Sequence, residues 1–123
     1  MNEEFHYKGG ELYCEQVPVQ QIAAKVGTPV YIYSQHHFLK QHNAIIEGFR
    51  DVDPLVCYSI KANSNMGILR AMALAGSGFD AVSRGEVYRA LRAGADPAKI
   101  VFAGVGKRPD EIDYALEQGI LMF

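Results

Sequence analysis

The apolar positions fall into short runs and helical stripes that alternate along most of the chain. Leu55-Val-Cys-Tyr-Ser-Ile60 is a run of six residues without a charge, long enough for a central strand. Lys61-Ala-Asn-Ser-Asn65 is then polar and loop-like, and Met66, Leu69, Met72 and Ala73 recur at helical spacing. The unit repeats. Phe79-Asp-Ala-Val82 reads as a strand, Ser83 opens a helix with Val87, Ala90 and Leu91, and Gly94-Ala-Asp-Pro97 turns the chain. Ile100-Val-Phe-Ala103 is the next strand. Pro109 starts a helix with Ile112, Ala115 and Leu116, Gly119 stops it, and Ile120-Leu-Met-Phe123 begins one more strand.

Ahead of these units the pattern is less regular. Gly9-Gly10 is a turn signal inside a strand pair or extended arm. Pro18 sits where a helix can begin, Val19, Ile22, Ala23 and Val26 mark that helix, and Gly27 is its C-cap. Val30-Tyr-Ile-Tyr33 is β-branched and aromatic and reads as a short strand. Ser34 is an N-cap for a helix whose buried stripe is Phe38, Leu39, Ile45, Ile46 and Phe49, and Asp51-Val-Asp-Pro54 breaks that helix.

Strand starts near positions 55, 79, 100 and 120, separated by helices, predict parallel pairing through right-handed crossovers. A doubly wound sheet and a (β/α)8 barrel both satisfy that order. A dinucleotide-binding sheet needs G-x-G-x-x-G after its first strand, where this chain has Lys-Ala-Asn-Ser-Asn, so the α/β barrel is favoured. A full barrel takes ~250 residues. The chain supplies only about half of one and is therefore expected to be a fragment of a longer protein, incomplete as it stands, or to need partners that close its sheet. The expected division is an arm and first helix over 1–28 and the first half of the barrel over 29–123.

Composition narrows the function classes. A net charge of -2 with no clustered basic face argues against nucleic-acid binding. No stretch approaches the ~20 apolar residues of a membrane span, and the acidic start Met1-Asn-Glu-Glu-Phe5 lacks the pattern of a signal peptide. Cys14 and Cys57 form no C-x-x-C pair, which fits a reduced, cytoplasmic protein without a disulfide. Cys and His show no ligand spacing, so no metal is expected.

Barrel chemistry gathers at the C-terminal ends of strands. That rule picks out Lys61 with Asn63, Asp80 with Ser83 to Glu86, and Gly104-Val-Gly-Lys107. A lysine ending an apolar strand is expected to be partly desolvated, which favours the neutral amine that attacks a carbonyl. Position alone is served more simply by a lysine whose stem lies on the rim while its ammonium reaches water. Asp80 is either a counter-charge for that lysine or a polar rim residue. Ser83-Arg-Gly-Glu86 matches a capping box, which explains both ends without catalysis. Gly104-Val-Gly-Lys107 lacks the spacing of a P-loop and reads as a strand-to-helix turn. His36 and His37 fall at a helix start and carry no role.

Tyr58-Ser-Ile-Lys61-Ala-Asn63-Ser-Asn65, Gly76-Ser-Gly-Phe-Asp80-Ala-Val-Ser83-Arg-Gly-Glu86 and Ile100-Val-Phe-Ala-Gly104-Val-Gly-Lys107, with Gly27-Thr-Pro-Val-Tyr-Ile-Tyr-Ser34 ahead of them, resemble the N-terminal part of the diaminopimelate decarboxylases. The likeness runs across essentially the whole chain. The strand ending in Lys-Ala-Asn is shared with the wider alanine-racemase-like, fold-type III group. Phe79-Asp80 and Glu86 are also shared with ornithine and arginine decarboxylases, while Gly27-Thr-Pro and Gly104-Val-Gly-Lys107 tilt the choice towards diaminopimelate.

The resemblance implies that Lys61 holds pyridoxal 5'-phosphate as a Schiff base, with Asp80 and Glu86 as active-site supports. It implies decarboxylation of meso-2,6-diaminopimelate to L-lysine and carbon dioxide, in lysine biosynthesis, by a full-length homodimer. The family's phosphate-binding glycines, the acidic partner of the pyridine nitrogen, the substrate arginines and the C-terminal β domain all lie beyond Phe123. The 123 residues alone are therefore expected to be inactive. Other readings are a decarboxylase of ornithine, arginine or carboxynorspermidine, a Schiff-base aldolase, and a non-catalytic barrel.

Overall fold

The structure is a computed structural model and describes residues 4–123. The first residues of the acidic N-terminal segment, Met1-Asn-Glu3, lie outside the described residues. The chain divides into two compact units, one running to Gln41 and one from His42 to Phe123.

The first unit opens with an antiparallel meander. Strands β1 (Phe5–Lys8) and β2 (Glu11–Cys14) pair across Gly9-Gly10. Both glycines have positive φ, 60° and 85°, the backbone a two-residue hairpin turn requires. Strand β3 (Val17–Pro18) pairs back on β2, and Pro18 then leads into α1 (Val19–Val26), which ends at Gly27 as expected.

The strand expected at Val30–Tyr33 does not form. A strand needs a ladder partner, and no described residue supplies one; Tyr31 stays 89% exposed. Helix α2 (Gln35–Gly48) follows, with Ser34 as its cap: Ser34 Oγ accepts from the His37 N–H at 3.0 Å. Glu15 adds a second cap, accepting from Ser34 Oγ at 2.7 Å and from the His36 N–H at 2.9 Å. The apolar stripe of α2 is less buried than its pattern predicts. Ile45 and Phe49 are exposed, and the buried residue is His42, which helical spacing puts on the same face as Phe38 and Ile46. The helix stops at Gly48, and a 3-10 turn over Arg50–Val52 carries the chain on.

The second unit holds a parallel three-stranded sheet, β4 (Cys57–Ser59), β5 (Gly78–Ala81) and β6 (Ile100–Phe102), in sequential order. Helices α3 (Met66–Leu74), α4 (Arg84–Arg92) and α5 (Pro109–Glu117) follow the three strands in turn. The run expected as one strand over 55–60 is shorter as a strand, because Ile60–Ala62 winds into a 3-10 turn. The strand expected from Ile120 has begun to pair: Val101 bridges Met122 in parallel.

Alternation puts Phe79, Ala81, Ile100 and Phe102 on one face, all fully buried with Leu69 of α3, Val87 and Ala90 of α4 and Ala115 of α5. This is the core. Ile112 and Leu116 of α5, expected to be buried with Ala115, are 36% and 61% exposed, since among the described residues nothing covers that flank of α5. Gly78 lies where β5 runs tight against β4. A Cβ there would sit 2.6 Å from Cys57 Sγ and 2.8 Å from the Lys99 carbonyl oxygen.

Candidate active site on the strand-end rim

Register sets the site. Ser59 pairs with Asp80 and Asp80 with Val101, so these three form a row on the sheet face opposite the core. All three are half-buried. Ser59 Oγ donates to Asp80 Oδ2 at 3.2 Å, which orients the carboxylate. Cys57 and Gly78 form the row behind. Burial, and then the Asp80 charge, push the Cys57 thiol up, so it remains protonated. Both cysteines are free.

Lys61 follows Ser59 by two residues, on the 3-10 turn that leaves the end of β4. Its side chain is exposed, not partly desolvated as the apolar strand suggested. The strand gives way to the turn before Lys61, so the side chain clears the ladder. The turn itself is firmly held. Tyr58 OH donates to the Asn63 carbonyl at 3.0 Å, Asn63 Oδ1 accepts from the Asn65 N–H at 2.9 Å, and Asn65 Oδ1 accepts from the Gly67 N–H at 2.8 Å. Asn65 thereby caps α3. The two asparagines of Lys61-Ala-Asn-Ser-Asn65 thus fix the backbone beside the lysine. The sequence signal for this was present, since Asn favours such local turns.

Glu86 is placed differently from its motif. Ser83 Oγ accepts from the Glu86 N–H at 3.2 Å, the expected half of a capping box. The Glu86 carboxylate instead takes the Val82 N–H at 2.8 Å, one residue earlier than the motif prescribes. It pins the last turn of backbone after β5, on the rim that also carries Asp80 and Lys61.

The third rim segment, Gly104 to Lys107, is an exposed turn with Gly104 at φ 92°. Lys107 folds back, its Nζ 2.6 Å from the Gly104 carbonyl and 5.0 Å from the centre of the Phe102 ring. Its charge is committed to its own turn. Glu111 was not singled out by sequence pattern, yet its carboxylate accepts from the Arg84 and Arg108 N–H groups, both at 3.1 Å. Those bonds, Arg84 first, hold it below the usual carboxylate range. A cavity of about 260 Å³ lined by His42, Asp53, Leu55 and Lys99 contains none of the predicted site residues.

Residues 35–123 match the protein family described as pyridoxal-dependent decarboxylase, pyridoxal binding domain. The chain is 48% identical over 119 residues to diaminopimelate decarboxylase of Pseudomonas aeruginosa, covering 97% of this chain and 29% of that protein. It is 46% identical over 119 residues to diaminopimelate decarboxylase of Haemophilus influenzae, with the same coverage, 97% and 29%. Among solved structures, diaminopimelate decarboxylase from M. jannaschii in co-complex with L-lysine superposes with a TM-score of 0.91 at 33% identity, over 98% of this chain and 29% of that one. The chain thus spans 29% of the length of these relatives.

Proposed function

The chain belongs to the pyridoxal-dependent decarboxylase family, within its pyridoxal-binding domain, and on that premise we propose that the full-length protein decarboxylates meso-2,6-diaminopimelate to L-lysine and carbon dioxide. The observation that carries this reading is the placement of Lys61. An exposed primary amine stands on a hydrogen-bonded turn at the carboxyl end of a parallel strand, with a carboxylate oriented one strand away. The choice of substrate follows relatives that are 46–48% identical to this chain over 119 aligned residues and are named diaminopimelate decarboxylase.

The residues present fit pyridoxal 5'-phosphate. The exposed amine of Lys61 is accessible to an aldehyde, and no described residue ion-pairs with it. When bound, the cofactor supplies the electron withdrawal that lets an amino acid lose its carboxylate. The chain's own residues do the positioning. Tyr58, Asn63 and Asn65 hold the backbone of the Lys61 turn, so the lysine stem starts from a fixed point on the rim. Asp80, fixed by Ser59, sets a negative charge on the same rim and favours cationic groups there. Glu86 supports the rim by holding the Val82 N–H, in place of contacting the reacting atoms.

The three sequentially ordered parallel strands are read as part of the first half of a (β/α)8 barrel over 29–123, with the row of Ser59, Asp80 and Val101 facing its interior. The arm and first helix over 1–28 precede it. The working protein is a cytoplasmic homodimer whose remaining strands supply the cofactor's other contacts.

The test is borohydride reduction of the full-length protein loaded with pyridoxal phosphate, followed by peptide mass mapping. The pyridoxyl mass is expected on Lys61, and a label on another lysine overturns the reading of the site. Carbon dioxide release from diaminopimelate, compared with ornithine and arginine, tests the substrate.

A further inference from the structure

Glu111 lies in the first turn of α5, yet half of its hydrogen bonding is spent on another helix. Its Oε1 accepts from the N–H of Arg84, the first residue of α4, at 3.1 Å. Its Oε2 accepts from the N–H of Arg108, just ahead of α5, at 3.1 Å. One carboxylate therefore ties the turn after β5 to the turn after β6. Arg84 reinforces the tie, its guanidinium 4.6 Å over the Tyr114 ring of α5 and 3.7 Å from the Asp110 carboxylate. The Glu111 side chain is only 16% exposed, and because the acceptor is a carboxylate both bonds are charge-assisted. Capping α5 alone would need one of the two oxygens.

Helix α4 also meets the Lys61 turn. The 3-10 turn Ile60–Ala62 lies against α4 and β5, and Arg89 Nη1 reaches the Ser64 carbonyl at 3.4 Å. Lys61 is thus supported by a helix whose first residue is held in place by Glu111.

We infer that Glu111 is a positioning residue for the cofactor site: by anchoring the start of α4 to α5, it fixes the surface on which the Lys61 turn rests. The inference depends on the reading of Lys61 as the cofactor lysine. A Glu111→Gln side chain keeps the shape but turns one acceptor into a donor facing a backbone N–H, so one of the two ties must break.

The experiment uses the full-length protein and measures pyridoxal phosphate affinity, with the visible circular dichroism of the saturated protein as a readout of cofactor geometry. Asp96→Ala is the control. It removes the cap that Asp96 Oδ1 provides to the Ala98 N–H at 2.9 Å, at the entrance to β6 and away from the rim. E111Q is expected to weaken cofactor affinity about threefold or more and to alter the visible signal. D96A is expected to lower the Tm while leaving both unchanged. If E111Q does not fold, Glu111→Asp carries the test, since the shorter side chain reaches only one N–H and should likewise weaken cofactor affinity. Wild-type affinity and signal in E111Q, or in E111D where that carries the test, overturn the inference, as does an equal loss in D96A. Borohydride mapping of the wild type separates the two claims: a label away from Lys61 rejects the site, whereas a label on Lys61 with an unaffected E111Q rejects only the role of Glu111.

Discussion

Tyr58 and Gly78 carry two local constraints on the rim. The Tyr58 hydroxyl is part-buried and donates to the Asn63 carbonyl, so Tyr58→Phe leaves that carbonyl without its protein donor. A loss of about 1 kcal/mol is expected, read as a lower urea midpoint. Gly78→Ala forces a Cβ against Cys57 Sγ and the Lys99 carbonyl. Overpacking of this kind costs about 1–3 kcal/mol, and the backbone contact leaves little room for relief. A denaturation midpoint equal to wild type would show that β4 and β5 can part at that point. The position of Lys61 just past a strand is readable from where an apolar run stops, while its proposed role rests on the family resemblance. The sequence misjudged the side chain's exposure, because whether a strand runs on through its last residues or winds into a 3-10 turn depends on neighbours that periodicity does not encode. Tyr58 as the partner of Asn63 was hidden for a similar reason: a phenol on a strand reads as core, and only the fold aims its hydroxyl at the next loop.

Helix ends decide the elements more than helix interiors do. Ser83 caps α4 as its motif implies, and Ser83→Ala is expected to cost about 1 kcal/mol by thermal or chemical unfolding. Glu111 and Glu15 extend the same physics across elements, each accepting backbone N–H groups at helix starts. Those bonds hold both carboxyls below the usual range, the Arg84 N–H being the leading cause for Glu111 and the His36 N–H for Glu15. A carboxyl lowered on folding contributes stability that is complete above its unfolded pKa and is lost as pH falls through its folded value. Unfolding midpoints should therefore fall on the acid side, and E111Q should flatten that fall relative to wild type. An unchanged acid limb in E111Q would remove Glu111 from the account. Strong local signals such as Ser34, Pro109 and the Gly9-Gly10 turn were legible. The strand at Val30–Tyr33 and the full stripe of α2 were not, because an apolar pattern states what a segment would bury and says nothing of whether a partner reaches it.

At the scale of the whole molecule, the sheet meets two different environments. Its core face is closed, with Phe79, Ile100 and Phe102 fully buried, while the row of Ser59, Asp80 and Val101 is half-open. Around β6 the apolar side chains of Leu116, Leu121, Met122 and Phe123 remain 43–61% exposed. Apolar surface grouped beside a strand edge favours association with whatever can cover it. The further strands of a barrel would cover it, and they would also bring the remaining cofactor contacts onto the rim. The 123 residues expressed alone should therefore elute from size exclusion as associated species and bind a hydrophobic dye, whereas the full-length protein should do neither beyond the proposed dimer. The same piece should release no carbon dioxide from diaminopimelate above background: in the proposed reading Lys61 fixes an aldehyde, while the contacts that orient the phosphate and the pyridine ring come from elsewhere in the protein. Turnover by the isolated piece at the full-length rate would mean that Lys61, Asp80 and their supports suffice for catalysis, and would overturn the division of labour proposed for the barrel.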